Sequence, residues 1–193
     1  MTDSECAAVR IPAQRTASDA ASPPPAVATV DWTVWTVVLL KPECLEQDLC
    51  GPLLDHIAER FAVVDHRHVR PTWEQISTHY DDMLEGPRFE SITWCDVAAD
   101  IRGRYVGTQS GIALVHGPGA TAELRAMLGH FDPEQADSTS IRGRWGTDSS
   151  ARAVREGRMT RNLIHSSDDE KGAEKEFRLW YGEANAHLLT TNM

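Results

Sequence analysis

The sequence predicts an α+β sandwich, in which helices cover an antiparallel β-sheet. Residues 33–40 are apolar on both faces and rich in β-branched side chains, which is typical of a central strand. Further strands are predicted at residues 61–69, 112–115 and 163–164, and helical patterns lie between them. The order β-α-β-(αα)-β-α-loop-β-α indicates a ferredoxin-like βαββαβ arrangement, with the helices expected on one face of the sheet.

The helices are predicted from apolar spacing and from residues that favour helix ends. A helix over residues 48–60 has one apolar stripe, formed by Leu49, Leu53, Leu54, Ile57 and Phe61. Further helices are predicted over residues 72–84, over residues 87–102 and through Leu124, Met127 and Leu128 to Gly129. The last helix, residues 167–181, begins with Ser167-Asp168-Asp169-Glu170, which has the S-x-x-E form of a capping box.

The chain is predicted to contain one domain with a tail at each end. Residues 1–30 are rich in Ala, Ser, Thr and Pro without apolar periodicity, so we predict a disordered tail. The domain is expected over residues 31–183, and residues 184–193 form a C-terminal tail. Within the domain, residues 130–160 show no convincing period and are predicted to be a long loop, which is usually functional in a compact domain.

Composition and charge limit the function classes. The 193 residues carry a formal net charge of −10, which argues against binding nucleic acid through its backbone phosphates. No apolar run approaches the roughly 20 residues that span a bilayer, and the N-terminus lacks the apolar core of a secretory signal. The cysteines Cys6, Cys44, Cys50 and Cys95 form no C-x-x-C pair, so we expect reduced thiols and a cytoplasmic location.

His165 is the candidate catalytic residue, because it lies between a short strand and a helix. The positive end of a helix stabilises anions such as phosphates, and an imidazole there can attack phosphorus. Phosphoryl transfer needs a partner that orients the ring, and Glu176 can point back from the following helix. The candidates for surrounding cations are Lys41, Arg125 and Arg142, and those for neutral hydrogen bonds are Asn162 and Tyr80.

Spacing alone leaves a structural alternative open for each of these residues. A lone histidine at a strand end is more often a packing residue than a nucleophile. Lysine and arginine side chains at such positions are ordinarily solvated or paired with carboxylates. Tyr80 fits a packed position equally well, and Asn162 suits a turn.

Several segments resemble the nucleoside diphosphate kinase family, and they occur in the family's order. They are Leu39-Leu40-Lys41-Pro42-Glu43, His79-Tyr80, Arg125-Ala126-Met127-Leu128-Gly129, Ser140-Ile141-Arg142-Gly143 and Arg161-Asn162-Leu163-Ile164-His165-Ser166-Ser167-Asp168. The final helix, Ala173-Glu174-Lys175-Glu176-Phe177-Arg178-Leu179-Trp180, is similar as well. The resemblance spans about residues 32–181, and the His165 segment with its helix is the most specific part.

The resemblance implies ping-pong transfer of the γ-phosphate of ATP to a nucleoside diphosphate through a phosphohistidine. His165 matches the nucleophile, and Glu176 with Ser167 matches the groups that orient it. The residues that match those around the phosphates and sugar are Lys41, Tyr80, Arg125, Arg142 and Asn162. Mg2+ would bridge the nucleotide phosphates rather than bind protein ligands directly. The expected partners are nucleoside di- and triphosphates and other copies of the chain in a homo-oligomer, without membrane or specific nucleic acid.

The sequence departs from the family's pattern around the expected base and outer phosphates. Arg88-Phe89 stand where the family has an aromatic pair, so either Phe89 or a stacked Arg88 would contact the base. Phe131 stands in place of a phosphate-contacting threonine. Two insertions lie near residues 94–108 and 147–159. The second insertion contains Arg152, Arg155 and Arg158, which would share one face if the segment formed a helix. The segment is either a solvated surface turn or a lid that contacts phosphate.

The leading hypothesis is therefore a catalytically active phosphotransferase with a narrower or specialised acceptor, such as a modified nucleotide. The charged residues needed for the chemical step are all present. The alternative is a non-catalytic nucleotide-binding or scaffolding protein that retains the fold. A weaker alternative is the relay of phosphate to a histidine of another protein.

Overall fold

A four-stranded antiparallel sheet organises the structure, a computed structural model that describes residues 30–86 and 91–190. Its strands are β1 (Trp35–Leu40), β2 (Ala62–Val69), β3 (Ser110–His116) and β4 (Ile164–Ser166). The order across the sheet is β2-β3-β1-β4, and every neighbouring pair is antiparallel. This order confirms the predicted ferredoxin-like α+β fold.

Short and medium helices connect the strands. The α-helices are α1 (Pro42–Glu46), α2 (Cys50–Ala58), α3 (Trp73–His79), α4 (Asp81–Glu85), α5 (Val97–Tyr105), α6 (Ala120–Leu128), α7 (Ile141–Trp145), α8 (Ser150–Arg155) and α9 (Glu170–Trp180). Single 3-10 turns or short 3-10 helices occur at Trp32–Val34, Pro133–Gln135 and Glu183–Leu189.

Helices cover both faces of the sheet. On one face, Val38 and Leu40 pack in a buried cluster with side chains of α2 and α6. On the other face, Val37 and Leu39 pack with side chains of α3, α5 and α9. The expectation that helices lie on one face is therefore wrong. An apolar run with no polar face, such as β1, requires cover on both sides.

Two predicted elements differ from the observed ones in the middle of the chain. Among the described residues of the helix expected over residues 87–102, residues 91–96 are not helical. A helix begins at Val97, where the Asp96 side chain accepts a hydrogen bond from the Ala99 amide at 2.9 Å. Residues 87–90, with the predicted base contacts Arg88 and Phe89, lie outside the described residues. The expected long loop over residues 130–160 contains α7 and α8, and each begins after a serine cap.

The last helix begins later than predicted. Asp169 caps α9, and its carboxylate accepts a hydrogen bond from the Gly172 amide at 2.7 Å. The capping box expected at Ser167 is therefore wrong. Ser167 is fully buried, and its hydroxyl bonds the β1 backbone and Glu176 instead.

The ends of the chain are only partly described. The predicted N-terminal tail falls outside the described residues except for Val30. At the other end, Leu188 and Leu189 of the last 3-10 helix pack against the cluster that contains α9. Among the described residues, Cys44, Cys50 and Cys95 are free thiols. None of the helices in the described part of the chain is long and apolar enough to cross a membrane.

Candidate active site

His165 lies at the centre of β4, opposite Leu39 of β1. The turn before it is tied to the end of β1, because the Lys41 amide donates to the Leu163 carbonyl at 2.8 Å. Leu163 has a φ of 68°, an unusual value for a residue with a side chain. Its amide donates to the buried Glu43 carboxylate at 3.2 Å. Glu43 thus stabilises the strained turn that positions His165.

Glu176 and Ser167 orient the His165 ring. The Glu176 Oε1 atom lies 3.3 Å from His165 Nε2, and the Ser167 hydroxyl donates to Glu176 Oε2 at 2.7 Å. Glu176 projects from the second turn of α9 and is buried. Because Nε2–H donates to this carboxylate, the Nδ1 atom of His165 keeps a lone pair.

The imidazole of His165 is neutral at physiological pH. Burial, reinforced by the charge of Lys41, lowers the pKa of His165 to about 3. Burial also raises the pKa of Glu176, although the hydrogen bond from Ser167 opposes that shift. A neutral ring with a free lone pair is the form that attacks an electrophile.

His79 is a buried neighbour to which the sequence analysis assigned no role. Its ring packs edge-on against that of His165, with centroids 4.8 Å apart. The Trp180 indole donates to His79 Nδ1 at 3.3 Å, so this nitrogen carries a lone pair. Burial lowers the pKa of His79 to about 3, so its 3.3 Å contact with Glu176 is not an ion pair. The position of His79 beside Tyr80 in a family-like segment was the available signal.

Lys41 is a buried cation whose partner is a neutral amide. Its ammonium donates to Asn162 Oδ1 at 2.6 Å, and the Asn162 amide donates to the Phe131 carbonyl at 2.8 Å. Burial lowers the pKa of Lys41 to about 7, although the nearby Glu43 carboxylate raises it. Because its present partner is uncharged, this ammonium would form a stronger, charge-assisted hydrogen bond with an anionic group.

Arg125 and Arg142 bind the carbonyl oxygens of the residues on either side of His165. Arg125 donates to Ser166 O at 3.1 Å and pairs with Asp168. Arg142 donates to Ile164 O at 2.8 Å and to Gly129 O at 3.0 Å. Burial and the charge of Arg125 lower the pKa of Arg142 to about 10, so the Arg142 guanidinium remains charged at neutral pH. The structure thus brings both predicted arginines to the histidine.

Tyr80 contacts the same cluster. Its ring centroid lies 5.9 Å from that of His165 and 6.0 Å from the Lys41 ammonium. Its hydroxyl is hydrogen-bonded to that of Tyr105 at 2.9 Å, and burial raises the pKa of both phenols. Tyr105 belongs to α5 and was not predicted as a site residue.

A cavity of about 640 Å3 opens beside these residues. Its lining includes Lys41, Tyr80, Arg125 and Asn162. Phe131 lines it as well and is 57% exposed. Arg104 of α5, which was not predicted as a site residue either, also lines the cavity. Its guanidinium lies 3.9 Å from a carboxylate oxygen of Glu43 and 4.0 Å from one of Asp100.

The three arginines of the second predicted insertion do not share one helix face. Helix α8 ends at Arg155, and Gly157 with a φ of 64° turns the chain before Arg158. Arg158 makes a two-point ion pair with Asp148, at 2.6 and 2.9 Å, and Arg152 pairs with Glu156. The residues of this segment that line the cavity are instead Ser150, Val154 and Met159.

The side chains around the cavity suit a metal ion that arrives with a nucleotide. Its lining among the described residues contains lysine, arginine, amide and hydroxyl groups but no carboxylate. The nearby Asp168 carboxylate is paired with Arg125. Mg2+ prefers oxygen ligands and commonly takes them from substrate phosphates. This donor set is compatible with magnesium bound through the nucleotide, which stays a prediction.

A largely buried, neutral histidine, oriented by a carboxylate and surrounded by cations at a cavity, defines a phosphotransferase site. The sequence profile described as Nucleoside diphosphate kinase matches residues 35–186 of the chain. The protein belongs to the nucleoside diphosphate kinase family and is a kinase.

Sequence relatives with that name cover most of the chain. The "Nucleoside diphosphate kinase" of Streptococcus thermophilus (strain CNRZ 1066) is 28% identical over 149 residues, which are 77% of this chain and 98% of the relative. "Nucleoside diphosphate kinase B" of Homo sapiens is 27% identical over 148 residues, which are 76% of this chain and 84% of that protein.

Solved structures agree on the fold. A transition state mimic of the nucleoside-diphosphate kinase from Borrelia burgdorferi, with bound vanadate and ADP, matches with a TM-score of 0.69 at 20% identity, covering 78% of this chain and 88% of that chain. An NDP kinase from Pyrobaculum aerophilum matches with a TM-score of 0.67 at 22% identity, covering 78% and 97%.

Proposed function

We propose that the protein moves the γ-phosphate of ATP to a nucleoside diphosphate through phosphorylated His165. The observation that carries this proposal is the Ser167–Glu176–His165 chain of contacts, at 2.7 and 3.3 Å, beside three cations. An oriented neutral imidazole is of little use to a protein that only binds nucleotide. Such a protein would gain phosphate affinity from a charged histidine instead.

In the first half-reaction, His165 Nδ1 attacks the γ-phosphorus of ATP. The bond between that phosphorus and the β,γ-bridging oxygen breaks, and ADP leaves with its electron pair. Glu176 accepts the hydrogen bond from Nε2–H and stabilises the positive charge that develops on the ring. Lys41, Arg125 and Arg142 offset the charge on the phosphate oxygens.

In the second half-reaction, a terminal oxygen of the acceptor diphosphate attacks the phosphorus on His165. The N–P bond breaks, and its electron pair returns to Nδ1. One site serves both halves, because the donor and the acceptor differ only by the transferred group. Mg2+ enters as part of the nucleotide and neutralises phosphate charge when bound.

The test is phosphorylation of the protein by γ-labelled ATP with magnesium. We expect a label that is stable to alkali and labile to acid, and that is lost in His165→Ala. His187→Ala changes an exposed histidine outside the site and should label like the wild type. Absence of label on the wild type would contradict the proposal and favour the non-catalytic alternative.

The acceptor is a nucleoside diphosphate of restricted type, such as a specialised or modified nucleotide. Its support is the cavity wall made by Trp94, Phe131 and Val154, where large apolar side chains are exposed.

We also propose a homo-oligomer, because β2 pairs only with β3 among the described residues and leaves an open sheet edge. The cytoplasmic location and the domain limits stay predictions.

A further inference from the structure

Two cysteine side chains that the proposed reaction does not use lie in contact. The sulfur atoms of Cys44 and Cys50 are 3.7 Å apart and share a hydrogen bond. Cys44 lies in α1 and is fully buried, whereas Cys50 is the first residue of α2 and is partly exposed. Asp48, with a left-handed φ of 54°, lies in the turn that joins the two helices.

The contact suits bond formation between the two sulfur atoms. Neither sulfur belongs to a group of three or more candidate metal ligands among the described residues, so a metal site does not explain the pair. Two thiols in contact need only a short approach to reach the disulfide length of about 2.05 Å. Disulfides in a reducing compartment are usually transient and redox-sensing. The geometry therefore fits a dithiol that is oxidised only when an oxidant is present.

The two thiols differ in reactivity because their surroundings differ. The hydrogen bond from the Cys44 thiol lowers the pKa of Cys50, although burial and Asp48 oppose that shift. The same hydrogen bond and burial raise the pKa of Cys44. A position at a helix N-terminus also favours a thiolate, which is the form that attacks peroxides. Cys50 is thus the reactive and accessible thiol, and Cys44 is a buried thiol beside it.

We propose that Cys44 and Cys50 form an oxidation site for hydrogen peroxide, and that the resulting disulfide slows phosphoryl transfer by His165. The Cys50 thiolate attacks one peroxide oxygen, the O–O bond breaks, and hydroxide leaves and takes up the proton that the thiol had lost. The Cys44 sulfur then attacks the sulfenic sulfur, the S–O bond breaks, and water leaves with the Cys44 proton. The sulfur atoms lose two electrons in total, and the peroxide oxygens gain them.

Oxidation reaches the active site through α1, which has only five residues. The Cys44 amide donates to the Lys41 carbonyl at 2.8 Å, and the Lys41 amide donates to the Leu163 carbonyl at 2.8 Å. Glu43, the neighbour of Cys44, accepts a hydrogen bond from the Leu163 amide at 3.2 Å. A movement of Cys44 toward its partner therefore shifts the contacts that position His165. This coupling rests on the proposed function.

Mass spectrometry of the full chain tests for the disulfide. The protein is treated with hydrogen peroxide, denatured, alkylated and digested with trypsin. The peptide of residues 16–60 contains the cysteine pair without Cys6 or Cys95. We expect this peptide to be unalkylated and lighter by two hydrogen atoms, and we expect cleavage after Glu46 to leave its two parts joined. Treatment with dithiothreitol should restore alkylation of both thiols.

Variants separate the roles of the two cysteines. In Cys44→Ala, the sulfenic acid on Cys50 has no resolving thiol and should be trapped by dimedone. Cys50→Ser should form neither the adduct nor the disulfide. Cys95→Ser is the matched control, because Cys95 packs with the cluster on the other face of the sheet, and it should oxidise like the wild type. Circular dichroism checks that each variant is folded.

Labelling by γ-labelled ATP provides the second readout. We expect peroxide to slow labelling of the wild type and Cys95→Ser about threefold to tenfold, the effect of one weakened hydrogen bond, and to leave Cys50→Ser unchanged. Absence of the disulfide in the wild type, or a disulfide without slower labelling, would overturn the inference.

Failure of the reduced wild type to become labelled is a different result and removes the proposed function. The disulfide is still measured by mass in that case. Calorimetric binding of ADP to the reduced and oxidised protein then replaces labelling, with weaker binding expected after oxidation. Equal affinities would overturn the coupling between the cysteine pair and the active site.

Discussion

At the scale of single residues, Lys41 makes nucleotide binding depend on pH. Its pKa is lowered to about 7, chiefly by burial, so the empty site loses this cation as pH rises above 7. Phosphate oxygens favour the protonated ammonium, and binding must therefore take up a proton at higher pH. We expect the affinity for ADP to fall between about pH 7 and pH 9.

Calorimetry with Lys41→Arg provides the measurement. Guanidinium stays protonated over this range, so the variant should bind ADP with a flatter pH dependence and without proton uptake. Titrations in buffers of different ionisation enthalpy measure that uptake directly. If wild type and Lys41→Arg showed the same pH slope, Lys41 would not be the titrating group.

Residues with a chemical pattern were predictable, whereas their protonation states were not. His165, Glu176 and Lys41 belong to segments with a recognisable spacing, and the structure brings them together. His79 contacts His165, and Tyr105 contacts Tyr80, through tertiary packing of α3 and α5, which local spacing does not specify. The pKa shifts follow from burial, which only the folded arrangement determines.

At the scale of elements, the Asp148–Arg158 ion pair fixes the segment that carries α8. Both side chains are largely buried, and Asp148 also accepts a hydrogen bond from the Arg161 amide at 2.8 Å. We expect Asp148→Asn to lower the free energy of unfolding by about 1–3 kcal/mol, because it leaves the Arg158 guanidinium with only the more exposed Glu156 as a charged partner.

Urea denaturation and limited trypsin digestion test this expectation. Tryptic cleavage within residues 147–159 should be faster in Asp148→Asn than in the wild type. Glu156→Gln is the matched control, since Glu156 pairs with Arg152 and Arg158 in a more exposed position. Glu156→Gln should lower the free energy of unfolding by less than about 1 kcal/mol. Equal effects of the two variants would show that the two-point pair does not hold this segment.

The strands were easier to predict than the short helices. Apolar runs located β1, β2 and β3 to within two residues at each end. Helices α7 and α8 have five and six residues, too short for an apolar period, and depend on the caps Ser140 and Ser149. The cap of α9 was misassigned because Ser167 and Asp169 are both suitable capping residues. Burial of the Ser167 hydroxyl beside Glu176 decides between them.

At the scale of the whole molecule, the buried histidines connect global stability to pH. The pKa values of His79 and His165 are lowered to about 3, mainly by burial, whereas an unfolded histidine titrates near 6.5. Between these values the unfolded chain binds more protons than the folded one. The contribution of these two histidines to the free energy of unfolding is therefore fully present above about pH 6.5, and it is lost as the pH falls toward 3.

Urea unfolding of His165→Gln between pH 6.5 and pH 5 isolates the contribution of one histidine. Each histidine that stays neutral in the folded protein adds a slope of about 1.4 kcal/mol per pH unit to the free energy of unfolding. The slope measured for His165→Gln should therefore be smaller than that of the wild type by about this amount. Glu176 acts in the opposite direction, since burial raises its pKa, and its effect is present in both proteins. His187→Gln alters an exposed histidine and should keep the wild-type slope. A slope unchanged in His165→Gln would mean that the pKa of His165 is the same in the folded and the unfolded chain, so that burial does not keep its ring neutral below pH 6.5.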